Sequence, residues 1–419
     1  MPDFQRLRWH SAPLRKRGNG DVRLTGIIPA LGFAQIISWG SLYYSIAVLA
    51  SPMQHALGIS QTLLFGAFTV GLLVSGAASP AVGRMVDERG GRRVLAAGSL
   101  LSALAFLILC LARNPAQFVL GWIVAGLAMA ACLYDPAFAT LHQLSGDKYR
   151  RAVTALTLFG GFASTVFWPL THWLEGAIGW RATLGAYAVL HLAVCLPIHW
   201  LFLPDAARRV APDRRVDPPA EEKIAAPTAC YYWIAAAFSI AMFIVAVLSA
   251  YLIEVLKGGG MSAGNAIVVA SVVGPMQVAA RIVEFGFARR VRATTVGTAA
   301  FALLASSMLI LAMAGQSLVP ALLFAALYGA ANGVMTIVRG TAPAELFGHE
   351  SLGQLLGRLA RPAFIAKAMA PVAFAAVLAR GLTVAQGVIG LAILAALGLA
   401  SFLIAVRIGR TKAGSGRAQ

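Results

Sequence analysis

Twelve runs of about twenty apolar residues, each the length of a membrane span, divide this chain, and nothing else in it constrains the fold so strongly. They fall at roughly 25–50, 63–83, 94–112, 118–141, 152–174 and 181–203, then at roughly 230–256, 264–286, 294–315, 319–341, 363–381 and 385–406. A helix of that length crosses a bilayer core about 30 Å thick and satisfies its own backbone where no water can. With 59% hydrophobic and 12% charged residues among 419, against about 25% charged in an ordinary soluble domain, a water-soluble enzyme is excluded. Twelve spans also leave too few residues for a sizeable soluble domain. The expected fold is an all-α membrane protein of twelve transmembrane helices, six on each side of a polar interruption.

That interruption, 204–229, carries Pro204, Pro212, Pro218, Pro219 and Pro227 among Arg208, Arg209, Arg214, Arg215, Glu221, Glu222 and Lys223, the composition of a solvated linker. It separates six-helix bundles at 25–203 and 230–406, with tails at 1–24 and 407–419. The first apolar run is too long for a signal-peptide core and lacks a cleavage site, so the first helix is expected to remain.

The formal charge is +18, from 34 Lys and Arg against 16 Asp and Glu. In a soluble chain this balance would point to nucleic acid, but here the basic residues sit in short segments between apolar runs. Counted by side, 27 fall in the segments that share the N-terminus's side, whereas the opposite loops hold Arg113, Arg181, Lys257 and Arg380. Positive loops resist translocation, so both termini are expected in the cytoplasm, as in a multi-pass protein of a bacterial inner membrane. Cys110, Cys132, Cys195 and Cys230 lie far apart in apolar stretches without metal-ligand spacing. Buried thiols are expected, with no metal and no cofactor. No G-x-x-x-x-G-K-[ST] loop occurs, Gly258, Gly259 and Gly260 forming a turn without the following lysine.

The halves resemble each other. Arg84, Asp87, Arg92 and Arg93 recur 197 residues later as Arg281, Glu284, Arg289 and Arg290, after the corresponding helix. Together with the six-plus-six count, this points to two parallel six-helix pseudo-repeats about a central pathway. The first copy, Gly83, three residues, Asp87, one residue, Arg89, Gly90, Gly91, Arg92 and Arg93, closely resembles the loop 2–3 signature of the major facilitator superfamily. Glu88 stands where that family usually has a basic residue. The resemblance covers nearly the whole chain and implies the major facilitator fold. It also implies that Asp87 contacts neighbouring helix ends and helps set the outward-facing state.

Two shorter passages resemble the monocarboxylate porter and oxalate/formate antiporter branch. Ser271, Gly274 and Arg281 in the eighth run keep the porter spacing, and Ala366, Lys367 and Ala368 in the eleventh resemble the segment around the antiporter's substrate lysine. Trp39 and Gly40 are a fainter likeness. The porters carry an aspartate four residues before the arginine, where this chain has Gln277, and a lysine in the first helix, where it has Tyr43, Tyr44 and Ser45. Proton coupling by the porter mechanism is therefore not implied.

Charges inside a span are costly and mark a pathway by default. At 1.5 Å per residue, Arg281 lies about 25 Å and Lys367 about 21 Å from the outer surface. Cations at matching depth cannot neutralise each other; an anion would favour both, and the guanidinium grips a carboxylate bidentately. Two roles stay open for each: substrate binding, or snorkelling to the inner headgroups. Arg339 lies deeper and reads as an anchor. For Asp135, beside Pro136 in the fourth run, proton coupling, pairing with Arg339 across the halves and a structural hydrogen bond stand equal. Trp39, Tyr43 and Tyr44, with Phe159, Phe162, Phe167 and Trp168, either wall an apolar solute or pack as interface belts.

The function expected is secondary transport of one small solute by alternating access, not catalysis, and foremost of a small organic anion such as a carboxylate. Efflux of amphipathic drugs or metabolites is the alternative, and a non-transporting membrane receptor is a remote one. The expected partners are a small-molecule substrate moved with a proton or counter-anion and the lipid bilayer, with no nucleic acid, and the chain is expected to work as a monomer. The substrate candidates are Arg281, Lys367, Tyr43, Tyr44 and Trp39. Asp135, Arg339, Gly83, Asp87, Arg89, Gly90, Arg92 and Arg93 are the coupling or gating candidates. Reporter fusions at Lys223 and the C-terminus should register cytoplasm, and fusions beside Arg113 and Lys257 the opposite side. A linker reporting from outside would invert this topology.

Overall fold

The computed structural model describes residues 20–204, 228–287, 290–348 and 351–415. The tail over 1–19 and the linker over 205–227 lie outside the described residues, as does Arg289 of the repeat. Helix α1 comprises Gly20–Trp39, a π-helical turn Gly40–Tyr44, and Ile46–Leu57. Helices α2 (Gln61–Arg89) and α3 (Gly91–Leu111) follow, then α4 in two pieces, Pro115–Cys132 and Tyr134–Ser145. Helix α5 runs from Tyr149–Gly161 into Ala163–Leu190, where Gly179, at φ 77°, turns the chain back. The remainder, continued through His191–Cys195 and Ile198–Phe202, is α6. The second half holds α7 (Thr228–Gly258), α8 (Ala263–Phe287), α9 (Ala293–Ala314), α10 (Leu318–Phe347), α11 (Leu352–Ala379) and α12 (Val384–Ser415). Among the described residues ten apolar helical runs result, one of which, Pro115–Phe202, contains three crossings. The expected twelve-helix fold is present in a multi-pass membrane protein.

Local chemistry sets several ends. Ser60 accepts the Leu63 N–H, and Asn114 accepts that of Gln117 ahead of Pro115, each capping an orphan donor. Gly90, at φ 79°, is the whole connection between α2 and α3. Helices outrun the apolar runs at one end: α2 continues to Arg89 and α11 begins at Leu352, eleven residues before the expected start. Hydropathy registers only the lipid core, whereas the backbone ladder continues past it, with Arg84, Arg358 and Arg361 exposed on those extra turns. The end carrying these residues is called the basic end below.

Each half has its own apolar core. In the second, Phe238, Phe301 and Phe402 stack with centroids 4.8 to 6.3 Å apart; in the first, Phe106, Phe118, Trp122 and Tyr187 are buried together. Cys132, Cys195 and Cys230 are buried free thiols, but Cys110 is only partly covered, correcting that expectation, because it sits on the last turn of α3.

The halves meet from mid-depth to the basic end. Helix α2 crosses α11 where Gly83 faces the Gly353 carbonyl and Gly76 faces Phe364 and the Arg361 carbonyl. Without side chains there, the backbones approach closely enough for dispersion to hold them, the force that associates helices in lipid. Tyr149 Oη donates to Gly340 O at 2.5 Å, tying α5 to α10. A side chain added at Gly83 would run into the Gly353 carbonyl. Gly83→Val should therefore cost about 1–3 kcal/mol, as overpacking does, and lower the melting temperature of the detergent-purified protein. A wild-type melting curve would refute the crossing.

Candidate solute-binding site

Two irregularities in the first half shape the middle of the bundle. Pro136 has no N–H and disfavours helix before it, and α4 breaks at Leu133, extended at ψ −159°. The second piece restarts with Tyr134 and Asp135 in its first turn, so the carboxylate lies at a helix N-terminus, where the peptide dipole favours negative charge. In α1 the π turn carries Tyr43 and Tyr44, with Trp39 just before it. The Trp39 ring lies 5.0 Å from Tyr134, 5.5 Å from Tyr43 and 6.4 Å from Tyr44. Tyr43 and Tyr44 stand edge-to-face at 5.2 Å, and Tyr44 meets Trp168 at 6.0 Å. These rings form one aromatic wall.

The second half supplies cations. Lys367 Nζ lies 3.8 Å from the Tyr43 centroid, 5.7 Å from Trp39 and 6.0 Å from Phe364. Ring faces are electron-rich, and a desolvated contact of this kind is worth about 2 kcal/mol. Arg339 Nη2 pairs with Asp135 Oδ1 at 3.3 Å, joining α10 to α4, while its Nη1 donates to Met242 Sδ at 3.4 Å. Lys367 also lies within electrostatic reach of Asp135.

Arg281 is 5% exposed. It donates to Thr157 O of α5 at 3.0 Å and to Gly333 O of α10 at 3.2 Å, and acts electrostatically on Tyr44 and Tyr134. Its guanidinium occupies the space that a side chain at Gly161 would take. Two cations, Arg339 and Lys367, thus converge on one carboxylate among the described residues, with Arg281 adjoining through Tyr44 and Tyr134, a surplus of positive charge that an organic anion would balance.

The coupling candidates divide in two. Asp87 accepts the Gly353 N–H at 2.9 Å and the Gln354 N–H at 2.6 Å, capping α11 from the other half. Gly83 and Gly90 serve the crossing and the turn described above. Arg89 and Arg93 are exposed, and Arg92 lies over the Trp200 ring at 4.5 Å; none of the three belongs to the central cluster. At the pseudo-symmetric place, Glu284 of α8 accepts from Arg150 Nε at 2.8 Å and from Thr154 Oγ1 at 2.6 Å, on the first turns of α5.

The structure therefore brings Trp39, Tyr43, Tyr44, Lys367, Asp135 and Arg339 together, with Arg281 adjoining through Tyr44 and Tyr134. Of the three roles open to Asp135, the Arg339 pairing is the one formed. Arg281 is buried and bridges two backbones. Sequence reading missed Tyr134, although it precedes the aspartate and proline that break α4. It also missed Arg150 and Thr154, which become visible only as partners of Glu284.

Comparison with known proteins gives a consistent result. A family model described as Major Facilitator Superfamily matches residues 31–360. An uncharacterised 38 kDa protein of Thermoproteus tenax is 34% identical over 187 residues, 44% of this chain and 49% of its own length. The gallate transporter of Pseudomonas putida is 27% identical over 40% of this chain and 38% of its own, and the multidrug resistance protein MdtL of Citrobacter koseri is 29% identical over 33% and 36%. The chain thus spans less than half the length of these curated relatives. Among solved structures, the human organic anion transporter MFSD10 aligns with TM-score 0.68 at 16% identity, over 93% of this chain and 100% of that one. The Escherichia coli fucose:proton symporter aligns with TM-score 0.68 at 15% identity, over 91% and 99%. At such identities these two share the fold.

At the basic end two carboxylates join the halves, Asp87 capping α11 and Glu284 holding the Arg150 and Thr154 side chains of α5, and a gating role for them is open to test. In the double variant Asp87→Asn, Glu284→Gln, a cysteine placed at buried Thr157 should react several-fold faster with an impermeant maleimide applied from the basic side. Equal labelling rates with and without the two carboxylates would contradict this role.

Proposed function

The chain belongs to the Major Facilitator Superfamily, and from that premise we propose that it is a secondary transporter of a small organic carboxylate with a flat, apolar body. Alternating access would rock α1–α6 against α7–α12 about the central cluster. Closure at the basic end supports an outward-facing state, and the loop charges support termini in the cytoplasm of a bacterial inner membrane.

The observation that carries the proposal is the division of chemistry between the halves. Cations come from the second half, where Lys367 rests on aromatic faces and Arg339 is held by Asp135. Most of the rings come from the first. A solute that satisfies both is an anion with a planar apolar body, and binding it draws the halves together. Partial similarity to a transporter of gallate, itself a ring-bearing carboxylate, agrees with this reading. Partial similarity to a multidrug protein keeps efflux of amphipathic compounds as the second reading, although a positive surplus disfavours cationic drugs.

Asp135 would act as the competitor for the solute. Its bond to Arg339 ties α4 to α10 across the pathway. A carboxylate that takes over Arg339 releases that tie, frees the halves to move, and leaves Asp135 to take a proton or await the next exchange. The proton or counter-anion of the transport cycle would thus be set at this one residue.

Thermal shift and equilibrium binding on detergent-purified protein test the class. Benzoate should bind more tightly than cyclohexanecarboxylate, and tetraphenylphosphonium should not bind. Lys367→Gln should lose about 2–5 kcal/mol of benzoate binding, as expected when one partner of a buried charge contact is removed. Asp135→Asn should bind benzoate several-fold more tightly, having lost the competitor, yet fail to couple its uphill movement in liposomes. Preference for the phosphonium, with benzoate unbound, would favour efflux instead.

A further inference from the structure

Three π-helical turns occur among the described residues, all in the first half: Gly40–Tyr44 in α1, and His191–Cys195 and Ile198–Phe202 in α6. Such turns are rare and gather at functional positions. The turn in α1 and the first turn in α6 touch. His191 Nε2 lies 2.9 Å from Ser41 Oγ, and both residues are fully buried. Counting protons gives the direction of the bond. Ser41 donates its single proton to Ile37 O at 2.7 Å, so its oxygen accepts and His191 Nε2–H donates. The other ring nitrogen, Nδ1, is buried without a partner, as suits a neutral imidazole in an apolar bundle.

The α1 turn is held from a second side as well. The Phe167 ring of α5 fills the place a side chain on Gly40 would take. Phe167 packs on Tyr187 of α6 at 5.6 Å, and the Tyr187 hydroxyl is 2.6 Å from Thr171 Oγ1.

A π turn contains one residue more than an α turn. If it relaxed to α-helix, everything beyond it would rotate by about 100° relative to what precedes it. Trp39 precedes the turn, and Tyr43 and Tyr44 complete it. The placement of Tyr43 under Lys367 at 3.8 Å, and of Tyr44 beside Trp168 at 6.0 Å, therefore depends on the turn persisting. We infer that His191 is a positioning residue of the central site: through Ser41 it holds α1 in the π register that aims Tyr43 and Tyr44 at the solute. The inference rests on reading that cluster as the solute site. It assigns a role to a side chain that never touches solute, in a helix that does not line the cluster described above.

The test compares His191→Leu and Ser41→Ala, which remove the donor and the acceptor, with His191→Gln, whose side-chain amide keeps a donor at similar reach. With benzoate as probe, the first two should weaken binding at least tenfold, and the glutamine variant should stay within threefold of wild type. Adding His191→Leu to the double variant Tyr43→Ala, Tyr44→Ala should weaken binding no further. A purely structural role would lower the melting temperature and leave benzoate affinity of the folded protein unchanged, and that result would overturn the inference. A second arm needs no solute: in protein whose four cysteines are replaced by alanine, Tyr44→Cys is labelled with a thiol reagent. Its rate should change at least tenfold with His191→Leu and return with His191→Gln. An unchanged rate would overturn the inference even if benzoate proved not to bind, an outcome that would count against the proposed substrate class alone.

Discussion

At the basic end, Asp87 receives two backbone N–H groups from the first turn of α11, and the bond exists because Gly83 and Gly353 let the two helices touch. In lipid there is no hydrophobic force to press one bundle against another, so halves of a transporter are held by close backbone packing and by hydrogen bonds to groups that would otherwise be orphaned. A carboxylate capping a helix of the opposite half meets both conditions. It neutralises unsatisfied donors at a positive helix end, and it is reversible, since its partners belong to a body that moves. The central cluster lies in register only while such contacts keep the halves together.

The pseudo-repeat carries this device twice, but not identically. Glu284 stands where Asp87 does and engages the start of α5 through the side chains of Arg150 and Thr154 rather than through backbone amides. Three residues earlier the copies diverge further: Arg84 is exposed, whereas Arg281 is buried against two carbonyls. One repeated spacing thus yields an exposed arginine in one half and a bridge beside the central cluster in the other. The difference arises from the neighbours, since Gly161 of α5 leaves room for the Arg281 guanidinium.

The site itself is built from breaks in helices. The interruption at Leu133 brings Asp135 to a helix start inside the membrane, and the π turn in α1 redirects two tyrosines. Broken helices at mid-depth are tolerated only where protein or a cavity satisfies the freed backbone, which is why they coincide with the convergence of rings and cations. The first half contributes shape and aromatic surface, and the second contributes most of the charge. A solute that needs both is a natural trigger for closure, because it gains its full set of contacts only when the halves approach.

The twelve spans, the two-fold repeat and the Asp87 signature were legible because each depends on residues near one another in the chain: hydropathy over about twenty residues, or a loop motif with fixed spacing. Lys367, Arg281, Asp135 and Arg339 could be singled out for the same reason, each being a charge within an apolar run. Their partners could not. That Asp135 meets Arg339, that Lys367 rests on Tyr43 rather than on an acid, and that Arg281 bonds two carbonyls are relations between residues 52 to 324 positions apart. Periodicity carries no information about such distances. Helix ends were also misplaced, since hydropathy reports the lipid core and not the hydrogen-bond ladder beyond it. The chain by itself determined that a bundle of membrane helices must form and which charges must find company there. Only tertiary packing, through close approach at glycines and breaks in α1 and α4, decided which company they keep.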